Sequence, residues 1–218
     1  VPPTTGILDD FDRANGALGA DWSDWLSIAA QPVISSNQVA DGGNEAAAYW
    51  DQAFFDRARE VYVDVVGLPD ASSETVMIGL GRADGTEYDL IMFMLQDNGD
   101  GVDITIYGTG FDSHFAGGVG YIPTKMWIRH GGWSYNAYVY DGADWDLVYS
   151  RSHAMPSESG VIGMYIQNAS SAVRFDNFGG GSVDPDPDPL IGAMMSRGPD
   201  HPAFLPIYAA DDPFGVLG

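Results

Sequence analysis

The stretch Ser134-Tyr135-Asn136-Ala137-Tyr138-Val139-Tyr140-Asp141-Gly142-Ala143-Asp144-Trp145-Asp146-Leu147-Val148-Tyr149-Ser150 decides the fold class. Two runs of strand length flank Asp141-Gly142, and Asp-Gly favours the positive φ values of a tight hairpin turn. The same pattern recurs along the chain. Alternating or continuous apolar runs occur at Ile7–Phe11, Val33–Val39, Ala46–Trp50, Glu60–Val66, Thr75–Arg82, Tyr88–Leu95, Asp103–Tyr107, Lys125–His130, Gly160–Gln167 and Ala172–Phe178. Turn-formers separate them: Asp41-Gly42-Gly43-Asn44, Asp84-Gly85, Asn98-Gly99-Asp100-Gly101 and Gly131-Gly132. Thr75–Leu95 and Ser134–Ser150 are the firmest hairpins. One short helix is expected, around Ala53–Arg57. There is no parallel βαβ alternation and no internal repeat. Short strands at hairpin spacing predict an all-β, two-sheet antiparallel sandwich. Ile7–Phe11 and Arg174–Phe178 match in length and pattern, as a first and last strand that pair would.

A seam lies near residue 180. The last strand gives way to Gly179-Gly180-Gly181-Ser182 and then to an Asp-Pro repeat, Asp184 to Pro189. That repeat is stiff, extended and self-repelling, a spacer rather than an element. Beyond it come three apolar patches between Pro and polar breaks. They carry Leu190, Ile191, Met194 and Met195, then Phe204, Leu205, Ile207 and Tyr208, then Phe214 and Leu217. Without a helical or strand period this segment builds no core of its own. It reads as an extended peptide whose anchors dock into grooves or add to a sheet edge. Docking on another chain is favoured because a spacer is superfluous for a local fold-back; wrapping onto its own body is the alternative. The expected organisation is an N-terminal arm (1–5), a sandwich (6–180), a spacer (181–189) and a C-terminal docking arm (190–218).

The formal charge is −22, from 31 acids and 9 bases, with Lys125 the only lysine. A field of that sign opposes nucleic acid and anionic lipid and favours solubility, cations or a basic partner. Adaptation to high salt would produce the same composition. The absence of cysteine excludes disulfides, thiolate nucleophiles and Cys-based zinc sites. Val1–Thr5 has neither the basic nor the apolar region of a signal peptide, and no apolar run approaches the length of a membrane span.

The run Leu8-Asp9-Asp10-Phe11-Asp12-Arg13-Ala14-Asn15-Gly16-Ala17-Leu18-Gly19-Ala20-Asp21-Trp22 resembles the opening of concanavalin A-like (laminin-G-like) jelly-roll domains, which often begin Asp-x-Phe-x-Arg-x-x-Gly-x-Leu-Gly-x-x-Trp. Val173-Arg174-Phe175-Asp176-Asn177-Phe178 resembles their last strand. The resemblance covers about residues 6–180. Such domains occur in secreted glucanases, sugar-binding modules and bacteriophage minor tail or tail-tip proteins, and this version is similar to tail proteins of phages with GC-rich hosts. The resemblance therefore implies a jelly roll and points to those three settings. Physically, Asp12–Gly16 is turn-forming, and Leu18 and Trp22 can fold back as a lid on one end of the sandwich; Trp22 and Trp25 are expected to be packing.

Three chemistries are open to such a domain. Jelly-roll glucanases use a strand motif of the type Glu-x-Asp-x-(x)-Glu to set two carboxylates about one bond. None of the five glutamates, Glu45, Glu60, Glu74, Glu87 and Glu158, forms it. Glu60 and Asp64 share a strand face, and Glu87 and Asp89 follow a turn; exposed pairs of this kind usually serve solvation. His114, His130, His153 and His201 lack a Gly-x-Ser-x-Gly elbow to work with. No enzymatic activity is expected. A structural calcium is the one cofactor considered, and none is required. Asp9 or Asp10 with Asp176 would supply its oxygens if the end strands pair, since carbohydrate-binding jelly rolls often hold calcium near there. Asp97–Asp103 partly resembles a calcium loop but reads better as a hairpin turn. For sugar binding, Phe111, His114 and Phe115, in the Gly-rich stretch 108–120 expected to be a loop, and Trp133, beside a turn, are the best exposed rings. Tyr138 and Tyr140 are an odd step from Tyr135, so one set faces inward.

The sequence thus predicts a non-enzymatic virion protein, a phage minor tail or capsid-decorating component. It would be held by its arm to other virion proteins or to copies of itself, and its lectin-like surface would meet a host glycan. The alternative is a secreted carbohydrate-binding module or a glucanase-like hydrolase.

Overall fold

The computed structural model describes residues 2–26, 30–42, 45–67, 75–82, 91–97, 102–108, 111–152, 159–167 and 173–186. The docking-arm residues Leu190, Ile191, Met194, Met195, Phe204, Leu205, Ile207, Tyr208, Phe214 and Leu217 lie outside them. The described residues form strands and no helix. In chain order the strands are β1 (Ile7–Asp9), β2 (Gly16–Ala17), β3 (Trp22–Asp24), β4 (Val33–Ile34), β5 (Val39–Ala40), β6 (Glu45–Trp50), β7 (Phe55–Asp56), β8 (Arg59–Gly67) and β9 (Thr75–Arg82). They continue as β10 (Ile91–Asp97), β11 (Val102–Gly108), β12 (Phe111–Val119), β13 (Lys125–His130), β14 (Ser134–Tyr140), β15 (Trp145–Ser152), β16 (Ser159–Gln167) and β17 (Arg174–Ser182).

Two antiparallel sheets result. The first has the order β15-β14-β13-β8-β17-β5-β4-β2, with β1 also on β17; the second runs β12-β11-β10-β9-β16-β6-β3, with β7 on β16. The architecture is the all-β two-sheet jelly-roll sandwich. Alternation along each strand explains the core. Val61, Val63 and Val65 of β8, Tyr135, Ala137 and Val139 of β14, Val76, Ile78 and Leu80 of β9, and Ile162, Met164 and Ile166 of β16 are all buried between the sheets. Each full burial of a large apolar side chain contributes ~1.5–3 kcal/mol. The end strands do pair: Ile7 lies opposite Gly179 and Asp9 opposite Phe178.

Four expectations change. Val33–Val39 is not one strand but the hairpin β4–β5, because Ser36 and Asn37 both take positive φ (58° and 61°), the geometry of a two-residue primed turn. Ala53–Arg57 is not a helix; its centre is β7, pairing with Ser159 and Gly160. The Gly-rich stretch 108–120 is not a loop; most of it is β12, with register shifts against β11 absorbing the irregularity. The glycines at the seam belong to β17, which continues through Ser182. Gly179 is needed there because a Cβ would lie 2.2 Å from the ring of Tyr62.

The opening motif closes one end of the sandwich through a buried carboxylate. Asp9 Oδ1 and Oδ2 accept from Arg13 Nη1 and Nη2 at 2.6 and 2.9 Å, and Oδ2 accepts from Trp22 Nε1 at 2.8 Å. The Phe11 amide donates to Oδ1 at 2.9 Å, and Arg13 Nη2 also reaches the Leu18 carbonyl. Trp22 then packs against Phe178, Trp50 and Phe11 with centroids 4.8, 5.5 and 6.0 Å away. Leu18 and Trp22 are therefore the lid the sequence suggests, fixed by Asp9. Burial alone would raise the Asp9 carboxyl; the bonds from Arg13, Trp22 and Phe11 outweigh it and hold the group below its usual range.

Trp25 goes to the other side of the second sheet. It is fully buried with Ala47, Met92, Val161 and Tyr165, on the face opposite the core. It lies on Gly79, Gly81 and Gly163, where a Cβ would come within 2.6–3.0 Å of the indole. Gly79 and Gly163 are directly opposed on β9 and β16, so they form one flat platform.

Two outcomes follow for stability. Gly163→Ala forces the indole off its platform and lowers unfolding free energy by about 1–3 kcal/mol, read as a lower urea midpoint at unchanged slope. Asp9→Asn costs about 2 kcal/mol, less than a fully buried pair because Arg13 stays partly in water. Because the native carboxyl lies below its unfolded value of about 3.9, the Asp9 contribution is complete above that pH and is lost as pH falls through the lowered native value. The stability gap between the native chain and Asp9→Asn is thus constant near neutrality and shrinks below about pH 4.

Candidate functional site

Strand register places a polar and aromatic array on the outer face of the first sheet. Directly opposed residues share a face. Across β8, β13, β14 and β15 the rows are Asp64–Lys125–Tyr140–Trp145, Tyr62–Trp127–Tyr138–Leu147 and Glu60–Arg129–Asn136–Ser150. The inward residues between them, Val61, Val63, Met126, Ile128, Tyr135, Ala137 and Val139, fix this face by burial in the core. Tyr135 is thus the inward ring, and Tyr138 and Tyr140 the outward ones, as parity requires.

Rings tile this face. Trp127 stacks on Tyr138 at 4.2 Å and meets Trp145 edge-on at 5.5 Å, and Trp145 contacts Tyr140 at 5.3 Å. The N-terminal segment crosses the array, held by Glu60. Glu60 is 0% exposed. Its Oε1 accepts from the amides of Thr4 and Thr5 at 2.7 and 2.8 Å and from their hydroxyls at 3.0 and 2.9 Å. Its Oε2 accepts from Trp127 Nε1 at 3.0 Å. The Tyr62 hydroxyl donates to the Thr5 carbonyl at 3.0 Å. Burial, then the charges of Glu60 and Asp64, raise the Tyr62 phenol above its usual value, so it remains a donor.

Beside this strap is a cavity of about 290 Å³ lined by Pro3, Thr5, Tyr62, Lys125, Tyr140 and Trp145. Lys125 Nζ lies 2.5 Å from Asp64 Oδ1, and Asn177 Nδ2 donates to Asp64 Oδ2 at 2.9 Å. The cavity thus offers ring faces, phenol and threonine hydroxyls, and one ammonium. Such a mixture orients an uncharged, hydroxylated ring: apolar faces stack while a few polar groups set direction.

The residues expected from sequence are placed elsewhere. Trp133 stands in the β13–β14 turn, 43% exposed, with the Arg57 guanidinium 5.2 Å from its ring centre. Phe111, His114 and Phe115 fall on β12, the edge strand of the second sheet, opposite Gly108, Ile106 and Thr105. The aspartates expected to hold calcium do not form one group. Asp9 is committed to Arg13 and Trp22, Asp10 accepts from the Asp12 amide at 3.1 Å, and Asp176 accepts from the Asn177 amide at 2.8 Å. Burial, then Asp64, Asp10 and Asp12, raise the Asp176 carboxyl. Among the described residues no three carboxylates or histidines converge as a metal site. The Glu60–Asp64 pair does share a face, but it is not an exposed solvating pair: Glu60 is closed under the strap and Asp64 is engaged by Lys125 and Asn177. Sequence reasoning missed Tyr62, Lys125, Tyr140 and Trp145 as a set because cross-strand register brings them together; outward parity of Tyr140 was its one available signal.

No family model and no curated protein matches the chain in sequence. Solved structures do match in fold. The exoplasmic/lumenal domain of VIP36, in its Ca2+/Man2-bound form, covers 86% of this chain and 91% of its own at 9% identity, with a TM-score of 0.58. The CBM2 module of the evolved Dit of Lactobacillus casei BL23 phage J-1 covers 85% of this chain and 99% of its own, also at 9% identity and a TM-score of 0.58. The GH43 protein BlXynB from Bacillus licheniformis covers 79% of this chain with 38% of its own, at 13% identity and a TM-score of 0.55. Together with the strand order and the closing of β1 on β17, these likenesses establish the fold of the chain as a concanavalin A-like jelly roll.

Proposed function

We propose that this chain is a non-enzymatic virion protein, a phage minor tail or capsid-decorating component, whose jelly roll binds a host glycan in the outer-face cavity. The observation that carries the glycan reading is the cavity itself. Tyr62, Tyr140 and Trp145 surround a space of about 290 Å³ on a rigid sheet, with Lys125 and Thr5 as polar contacts. Rings stack on the C–H faces of pyranoses, and the hydroxyls and ammonium meet their oxygens. The VIP36 domain, solved with mannose bound, and the phage Dit module share this fold, which supports a glycan-binding and virion setting. The Asp-Pro spacer and the apolar patches beyond it support anchoring to other virion proteins or to copies of the chain. The non-enzymatic reading draws support from the lining, which has no carboxylate among the described residues. It also draws on Glu60, whose oxygens are already taken by five donors.

Glycan-array binding followed by titration tests the site. Trp145→Ala is expected to weaken binding at least about tenfold, ~1.4 kcal/mol, while Trp133→Ala changes it less than about twofold. The reverse order would move the site to the Trp133–Arg57 turn. Glu60→Gln, which replaces an acceptor oxygen by an amide donor, is expected to loosen the strap and lower affinity without changing the far-ultraviolet dichroism. Anchoring is tested on the intact chain and on a chain ending at Asp186, beyond the last residue of β17, by light scattering and by incorporation into particles. Loss of incorporation in the shorter chain supports the virion reading. Equal behaviour of both, with glycan binding kept, favours a free secreted carbohydrate-binding module.

A further inference from the structure

We infer that the cavity takes a neutral sugar residue and holds it without a metal ion. This rests on the glycan reading above and specifies its chemistry. The first argument is charge. The sole lysine of a chain with net charge −22 lies in the cavity, and its ammonium is already paired with Asp64 at 2.5 Å. An anionic sugar, whether a uronate, a sialate or a phosphorylated hexose, would enter a field of the wrong sign and compete with Asp64 for that ammonium. A neutral pyranose has no such conflict. An ammonium has three N–H donors, and the pair with Asp64 uses one, leaving others for hydroxyl oxygens. The Tyr140 and Trp145 rings supply the stacking surface, 5.3 Å apart and tilted by 54°.

The second argument is the donor set. Calcium takes 6–8 oxygen ligands at about 2.3–2.6 Å, carboxylates prominent among them. The lining Pro3, Thr5, Tyr62, Lys125, Tyr140 and Trp145 holds no carboxylate among the described residues, and its one charged group is an ammonium already paired with Asp64, so it offers no set of anionic oxygen ligands. Orientation of the sugar therefore falls to the donors of Lys125 and Tyr140, with the Tyr62 and Thr5 hydroxyl oxygens, whose protons go to the Thr5 carbonyl and Glu60, serving as acceptors. The third argument is size: about 290 Å³ lies just under the roughly 300–1,000 Å³ typical of ligand pockets, room for one or two sugar residues.

The test is saturation-transfer NMR and calorimetry on the full chain. Methyl glycosides and short oligosaccharides of glucose, galactose, mannose and N-acetylglucosamine are compared with those of glucuronic acid, galacturonic acid and N-acetylneuraminic acid and with glucose 6-phosphate. Each is run with EDTA, with added calcium, and at low and high sodium chloride. Binding of a neutral probe is expected to change less than about twofold with EDTA or salt. It is expected to fall at least about tenfold in Trp145→Ala and measurably in Tyr140→Phe, a milder variant that leaves the ring in place. An acidic probe that binds best and weakens as salt rises overturns the inference, as does abolition of binding by EDTA; in both cases the glycan reading stands. Binding of a neutral probe that neither variant alters also overturns it, by placing the sugar elsewhere. If no probe of either kind binds, the glycan reading itself fails and the inference fails with it.

Discussion

The outer face of the first sheet is organised by one buried carboxylate. Glu60 sits on a strand whose neighbouring positions, Val61 and Val63, are locked into the core, so its side chain has to emerge on the opposite face. A carboxylate withdrawn from water is costly unless its oxygens are satisfied. Two backbone amides, two hydroxyls and one indole N–H do this here, and four of the five belong to Thr4 and Thr5. The demand of one charge for donors thus recruits a piece of chain that has little apolar surface of its own. That piece, once held, becomes a wall of the cavity.

The same physics operates at Asp9, with a different consequence. Arg13, Trp22 and the Phe11 amide converge on it because Phe11 takes a positive φ of 55° and turns the chain back toward β1. The spacing Asp9, Arg13, Leu18, Trp22 then has a direct meaning. Arg13 bridges the carboxylate to the Leu18 carbonyl, and Trp22 bridges it to the rings of Trp50 and Phe178. This occupancy also explains why Asp9 does not converge with Asp10 and Asp176 into one group. Its charge is balanced locally by a guanidinium, and a second cation would find its oxygens taken.

The fold was legible because hairpin turns and period-two alternation are local signals. Lys125–His130 and Ser134–Tyr140 fall where their runs predict, since each is bounded by turn residues and alternates strictly. Val33–Val39 misled because its apolar content masks a Ser-Asn pair able to take two positive φ values. The 108–120 stretch misled because glycine content signals a loop, whereas Gly117 there takes a φ of +105° within an irregular edge strand. The site was less legible for a deeper reason. Asp64, Lys125, Tyr140 and Trp145 sit on four strands and become one row only through register, which alternation alone does not specify.

The two sheets use their outer faces in opposite ways, and glycine explains the difference. On the second sheet, Gly79, Gly81 and Gly163 remove the side chains that would otherwise keep an indole away, so Trp25 lies flat and fully buried there. Met92, Val161 and Tyr165 close around it as a second small core. That face has consumed its own aromatic ligand. On the first sheet, Gly179 performs the related service for Tyr62, whose ring tip lies over it and whose hydroxyl donates to the Thr5 carbonyl. The rings of Tyr140 and Trp145 stay partly exposed beside it. A binding surface needs unfilled stacking positions backed by a rigid layer, and among the described residues the cavity beside Lys125 combines both.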